Sequence, residues 1–252
     1  MTNSGKIKID PLSLPSLLVS LFVNKQLLGT ATGFIVEKDS KYFLVTNWHV
    51  VSGRNSNTNQ PSSHTGGLPD EIQILLHSHQ LGLWIPYDYQ LLDPSSGKPM
   101  WLEHPKGREV DVVAIRLGTL PNGVQPYPMD RTLANADLSL MPGMPVFIIG
   151  FPFGISAAAA LPIWKTGHLA SDHDIDYNGK PSFLIDATTR GGMSGSPVVA
   201  RMSGGHYTSK GFTVSSRMAT RFLGVYSGRI REDSEIGIVW RPSVIDEILS
   251  NE

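Results

Sequence analysis

Short β-rich runs closed off by glycine, proline, asparagine or aspartate recur along the whole chain, at 34–36, 42–45, 72–76, 110–116, 146–149, 182–185, 197–199, 222–225 and 237–239. Runs of this length, rich in Val, Ile, Phe and Tyr and bounded by turn formers, are strands rather than helices. With 25 Gly and 18 Pro in 252 residues, long helices have few places to form. No internal repeat and no sustained heptad pattern interrupts the reading. A helix is predicted only near the end, where Ser243 would cap a turn carrying Val244, Ile245, Ile248 and Leu249, with Asp246 at capping-box spacing. The pattern predicts an all-β fold.

Three stretches rich in Ser, Gly, Asn or Pro, at 52–70, 93–107 and 202–211, are predicted as surface loops. The segment 118–130, with Pro121, Pro126 and Pro128, is predicted to join two halves, 1–124 and 125–252. Each half has strands enough for one small antiparallel barrel of the six-stranded type, and the second ends in the short helix.

Composition narrows the function classes. Hydrophobic residues are 40% and charged residues 17% of the chain, which excludes a disordered chain. The formal net charge is −1 and no long Lys/Arg run occurs, so a nucleic-acid partner on a broad basic surface is not expected. The absence of cysteine excludes disulfides and thiolate metal sites and points to a bacterial or cytosolic setting. Lys6 and Lys8 precede an apolar run at 12–23 that superficially resembles a signal peptide. Asp10, Pro11 and Pro15 interrupt it, and 19–23 reads as a strand running into a second at 29–37. No apolar run is long enough to span a membrane. The expectation is a soluble, cytoplasmic protein with no membrane partner.

Three segments carry chemistry. In Gly191-Gly192-Met193-Ser194-Gly195-Ser196-Pro197, glycines on both sides of Ser194 permit a tight turn that exposes the hydroxyl and lets substrate approach the backbone. Such a turn can also aim N–H groups at a developing oxyanion. In Phe43-Leu44-Val45-Thr46-Asn47-Trp48-His49-Val50-Val51, a strand ends and a histidine follows at once. In Glu109-Val110-Asp111-Val112-Val113-Ala114-Ile115, one acid interrupts a β-branched run, which is costly unless a partner such as an imidazole N–H meets it. Taken singly, His49 reads as structural, Asp111 as an exposed edge-strand acid and the Ser194 segment as a Gly-Ser loop.

In this order the three segments resemble the trypsin-like serine peptidases, especially the bacterial disulfide-free members of HtrA type and staphylococcal glutamyl-endopeptidase type. Thr30-Ala31-Thr32-Gly33-Phe34-Ile35-Val36 and Gly150-Phe151-Pro152-Phe153-Gly154 are similar to further family segments. The resemblance spans roughly residues 16 to 245. It implies a serine endopeptidase acting on protein or peptide substrates without a metal or cofactor. Ser194 would be the nucleophile, His49 the general base and Asp111 the residue that orients His49. The N–H groups of Gly192 and Ser194 would form the oxyanion hole. Tyr226, Ser227 and Gly228 would pair with the substrate backbone by β-augmentation. Ser196 would not be the nucleophile.

The chain also departs from the family. Met193 stands where an Asp or Asn is usual, so activation by an ion pair to a new N-terminus is not expected. The oxyanion loop is then either preformed or ordered by a regulatory protein partner. Thr189 is in register with a threonine of the specificity pocket of glutamyl endopeptidases, whereas Tyr226 replaces their histidine. Thr188 lies near the pocket base, where trypsin has an acid. Neither glutamate nor Arg/Lys preference follows. The segment Asp174–Gly179 reads as a hairpin turn rather than a calcium loop, since Ile185 stands where the bidentate acid belongs. His77 and His79 lack further ligands at zinc spacing and read as exposed strand positions. The alternative to an active peptidase is a catalytically silent or partner-activated module that works by protein binding.

Overall fold

The computed structural model describes residues 8–63, 66–80, 82–231, 233–250 and 252. Lys6 therefore lies outside the described residues. Strands β1 (Ser16–Val23), β2 (Gln26–Lys38), β3 (Lys41–Thr46), β4 (Glu71–His77), β5 (Trp84–Gln90), β6 (Leu102–Glu103) and β7 (Val113–Leu117) form one antiparallel sheet. Its order is β5-β4-β1-β2-β3-β7-β6. Strands β8 (Pro145–Gly150), β9 (Ile163–Leu169), β10 (Ser182–Asp186), β11 (Pro197–Thr208), β12 (Gly211–Arg229) and β13 (Ile236–Trp240) close into a six-stranded barrel. The first sheet thus has seven strands, with β5 and β6 as its edges, and only the second closes by strand pairing. Two short helices, α1 (Trp48–Ser52) and α2 (Ser243–Leu249), complete the α-helical content of the described residues. The all-β, two-sheet architecture is the one expected of the trypsin-like fold, with seven strands and two open edges in the first sheet where a six-stranded barrel was expected. No helix among the described residues is long and apolar enough to cross a membrane.

Local chemistry sets the hairpins. Asn24-Lys25 and Asp39-Ser40 turn β1 into β2 and β2 into β3 with φ of 49°, 64°, 50° and 58°, the paired left-handed turn that matches strand twist. Along the second half of β2, Phe34 and Val36 face the seam between the sheets while Ile35 faces the N-terminal core, as a strand's two-residue period requires. Phe34, Val36, Phe43, Val45 and Val112 pack across the seam against Ile149, Val199, Phe222 and Trp240, and α2 adds Val244, Ile245, Ile248 and Leu249. Phe34 and Phe222 meet edge to face, 5.8 Å between ring centroids. Truncating either to alanine should cost about 3–5 kcal/mol.

Several expectations need correction. Residues 202–211 are not a loop: β11 and β12 continue as a long hairpin through Tyr207↔Phe212 and Thr208↔Gly211. Small polar residues hide a strand from propensity, but cross-strand pairing decides. The tip is held by Asp137, which accepts from the Ser209 N–H and hydroxyl at 2.8 and 2.9 Å. Strand β5, with Pro86 on an edge where no ladder N–H is needed, had no counterpart in the sequence reading. Ser243 is the first residue of α2 rather than its cap. Pro242, at φ −58°, holds the cap position, and no side chain caps the turn. His77 is 2% exposed, and its ring lies tilted against that of Trp84, 3.9 Å between centroids.

Candidate active site

Strand β3 delivers the histidine. It ends at Thr46, and Asn47 turns the chain while its amide donates to the Asp111 carbonyl at 2.7 Å. His49 then falls in the single turn of α1. Its backbone N–H donates to Asp111 Oδ1 at 2.8 Å, and its Nδ1 lies 2.6 Å from Asp111 Oδ2. Asp111 precedes β7, between the buried Val110 and Val112, and is itself 3% exposed. The Ser227 hydroxyl donates to the same Oδ2. Three donors thus satisfy a buried carboxylate that would otherwise be costly, so Asp111 is not the exposed edge acid of its single-residue reading. Bonding Nδ1–H to Asp111 leaves Nε2 as the acceptor, and Ser194 Oγ stands 3.0 Å from it. Burial lowers the His49 pKa, but the Asp111 charge and the hydrogen bond to it together leave it above the ordinary 6.5.

The loop carrying Ser194 is held from both sheets. Gly192 and Gly195 have φ of +92° and +86°. A Cβ on Gly192 would lie 2.2 Å from the Phe151 carbonyl, and one on Gly195 2.0 Å from that of Thr32. Only glycine meets both conditions. The Phe153 N–H donates to Gly191 O at 2.6 Å and the Ser196 N–H to Met193 O at 3.0 Å. Across a planar trans peptide the N–H points opposite to the carbonyl. Fixing these two carbonyls therefore turns the N–H groups of Gly192 and Ser194 away from them. Among the described residues neither N–H donates to a backbone carbonyl, so both are free for a developing oxyanion. Met193 is fully buried, packed in the C-terminal core with Phe183, Ile185, Val198 and Leu223, and anchors the loop by apolar contact.

Thr32 is a participant whose role the motif reading did not resolve. It was visible only as part of the 30–36 segment. Fully buried on β2, it donates its N–H to Ser194 O and its hydroxyl to Gly192 O, each at 2.8 Å, and its hydroxyl accepts from the Phe151 N–H at 3.1 Å. Ser227 also has more to do than line the groove, because its carbonyl lies 3.0 Å from the Ser194 hydroxyl and competes with His49 Nε2 for that hydroxyl's one proton. The Tyr226 backbone is already engaged, its N–H on Ser196 O and its carbonyl on the Gly195 N–H. Gly228 pairs with Ile238 of β13, so Ser227, bulged out of that ladder, is the one of the trio without a strand partner. The Tyr226 hydroxyl meets that of Thr189, both side chains buried, and burial raises the phenol's pKa so that it stays neutral. Thr188 is exposed. The Ser196 hydroxyl is buried without a partner among the described residues.

Ser194 sits between two depressions. One, of about 440 Å³, is lined by His49, Ser227 and Gly228 and reaches the 55–57 loop and the Tyr177–Lys180 turn. The other, of about 210 Å³, is lined by Leu21, Leu28, Thr30 and Pro69. An extended chain could cross the hydroxyl from one to the other.

No curated protein matches the chain. Among solved structures it is similar to the M. tuberculosis protease Rv3671c in its active form, at 16% identity and a TM-score of 0.49 over 95% of this chain and 81% of that one. An inactive form of the same protease gives 16% identity and a TM-score of 0.46, over 95% and 89%. The serine endoprotease from Yersinia pestis gives 12% identity and a TM-score of 0.49, over 98% and 67%. The family model of the trypsin-like peptidase domain matches residues 31–205, a stretch that begins in β2 and runs into β11. Because that match takes in well over half of the sequence, the chain belongs to the trypsin-like peptidase domain family.

Proposed function

We propose that this chain is a serine endopeptidase that cleaves peptide bonds through an acyl-enzyme. Ser194 Oγ attacks the scissile carbonyl carbon while His49 Nε2 takes its proton. The carbonyl oxygen, now negative, accepts from the N–H groups of Gly192 and Ser194. His49 returns the proton to the leaving amine, and water repeats the sequence to release the acid. Asp111 keeps the imidazole in the required tautomer and stabilises its charged form. Peptide before the scissile bond lies along Ser227 and Gly228 in the larger depression, and the leaving half enters the smaller one. The observation that carries this reading is the continuous hydrogen-bonded path from Asp111 through His49 to Ser194, at 2.6 and 3.0 Å.

The test is labelling of the isolated chain by a fluorophosphonate, with peptide hydrolysis measured alongside. Wild type should label at Ser194. Ser194→Ala should lose labelling and about six orders of magnitude in kcat. Ser196→Ala removes only a buried, unbonded hydroxyl and should stay within about threefold of wild type. Loss of labelling in Ser196→Ala but not in Ser194→Ala would reverse the nucleophile assignment. Absence of labelling in all three would leave a catalytically silent or partner-activated module that works by protein binding.

A further inference from the structure

The larger depression beside Ser194 carries a charge that the proposed peptide hydrolysis does not use. Lys180 and Arg229 both line it, and both are partly buried. Neither meets a carboxylate among the described residues, whereas Arg131, Arg190, Arg201 and Arg241 each do. The one carboxylate in the lining, Asp111, is occupied by His49 and Ser227. The remaining polar lining is neutral, as at Asn55, Asn57 and Tyr177. Overall charge does not explain this, because the chain is formally −1. Two cations held partly out of water without a counter-ion among the described residues, in a concave site next to the reacting hydroxyl, leave room for an anionic group from the ligand.

We infer that this depression seats an acidic side chain of the substrate, an Asp or Glu among the four residues preceding the scissile bond. Arg229 follows Ser227 and Gly228 on β12, the segment along which the acyl half of the peptide lies. Its guanidinium is therefore next in line for a side chain of that half. Lys180 reaches the same space from the turn before β10 and contributes a point charge. The inference rests on the peptidase reading and adds its substrate class.

The experiment uses the full chain. Cleavage of a diverse peptide library is read by mass spectrometry, followed by timed hydrolysis of matched peptides with Glu, Gln or Lys at the enriched position. Acid should be enriched at one of the four positions. Glu should exceed Lys by about tenfold in kcat/KM at low salt, with the ratio shrinking as salt screens the pair. Lys180→Glu combined with Arg229→Glu should invert the ratio, and Arg229→Gln alone should move it toward one. Because each ratio is taken within one variant, a general loss of activity divides out. Cleavage without acid enrichment, or an acid preference that survives the charge reversal, overturns the inference and leaves the peptidase reading standing. No cleavage together with no fluorophosphonate labelling overturns both.

Discussion

The hydroxyl of Thr32 donates to the carbonyl of Gly192 at 2.8 Å, joining β2 of the first sheet to the nucleophile loop of the second across 160 positions of sequence. The bond fixes the peptide plane that follows Gly192, while the Thr32 N–H holds the Ser194 carbonyl.

Thr32→Val keeps the shape but leaves the Gly192 carbonyl and the Phe151 N–H without their partner. An unmet buried group costs about 1–3 kcal/mol, and a misplaced oxyanion donor costs roughly 10²–10³ in turnover. The expected result is a fall in kcat of about tenfold to a hundredfold with KM little changed. Thr32→Ser, which keeps the hydroxyl, should restore most of it. Steady-state kinetics on one peptide decides. Equal losses in the Val and Ser variants would show that packing of the methyl, not the hydrogen bond, is what matters.

The pH profile follows from His49. The imidazole must be neutral to accept the serine proton, and its pKa is raised above 6.5. The kcat/KM should therefore rise with pH through one ionisation whose midpoint lies above 6.5. The stability effect has the opposite sign. A raised pKa stabilises the folded chain below 6.5, and that contribution is lost as pH climbs through the folded value. Asp111→Asn should lower kcat by about four orders of magnitude and shift the midpoint downward. A kcat/KM that declines over this range would contradict the general-base role.

Met193 should make the loop competent without N-terminal cleavage, since its anchor is apolar burial rather than an ion pair. Labelled protein should show the intact 252-residue mass. Met193→Leu conserves volume and should label within about threefold of wild type. Met193→Asp would put an unpaired carboxylate among Phe183, Val198 and Leu223, and labelling should fall by about a hundredfold or more. Full labelling of the Asp variant would mean that the loop is held elsewhere.

His77 should govern part of the acid response. Burial pushes its pKa down to about 4, although Leu14 O, 3.0 Å from Nε2, pulls the other way. The unfolded chain takes up its proton near 6.5 and the folded chain only near 4. Stability is thus complete above 6.5 and falls as pH drops toward 4, by on the order of 2 kcal/mol. Urea midpoints at pH 7, 5.5 and 4 should show the decline. His77→Phe should be less stable at pH 7 and show a shallower slope.

The nucleophile loop was legible because its demands are local. A turn with positive φ at Gly192 and Gly195 needs glycine whatever surrounds it, so the motif stands in the sequence as it stands in space. The order of the three motifs, the strand-rich pattern and the apolar face of α2 were legible for the same reason: periodicity and turn chemistry act over a few residues. Sequence could not assign residues 202–211, because Ser and Gly reveal a strand only when β12 lies beside them. It misplaced His77 because Trp84 and Tyr127 cover that ring through pairing between elements. The Thr32 clamp, the Ser227 bond to Asp111 and the cations of the cleft depend on contacts across 116 to 160 positions or on several elements meeting at one depression. Local sequence determined which groups can react and which turns can carry them. Tertiary packing decided their aim, because burial, hydrogen-bond partners and field at each group come from strands that only the folded sheets bring together.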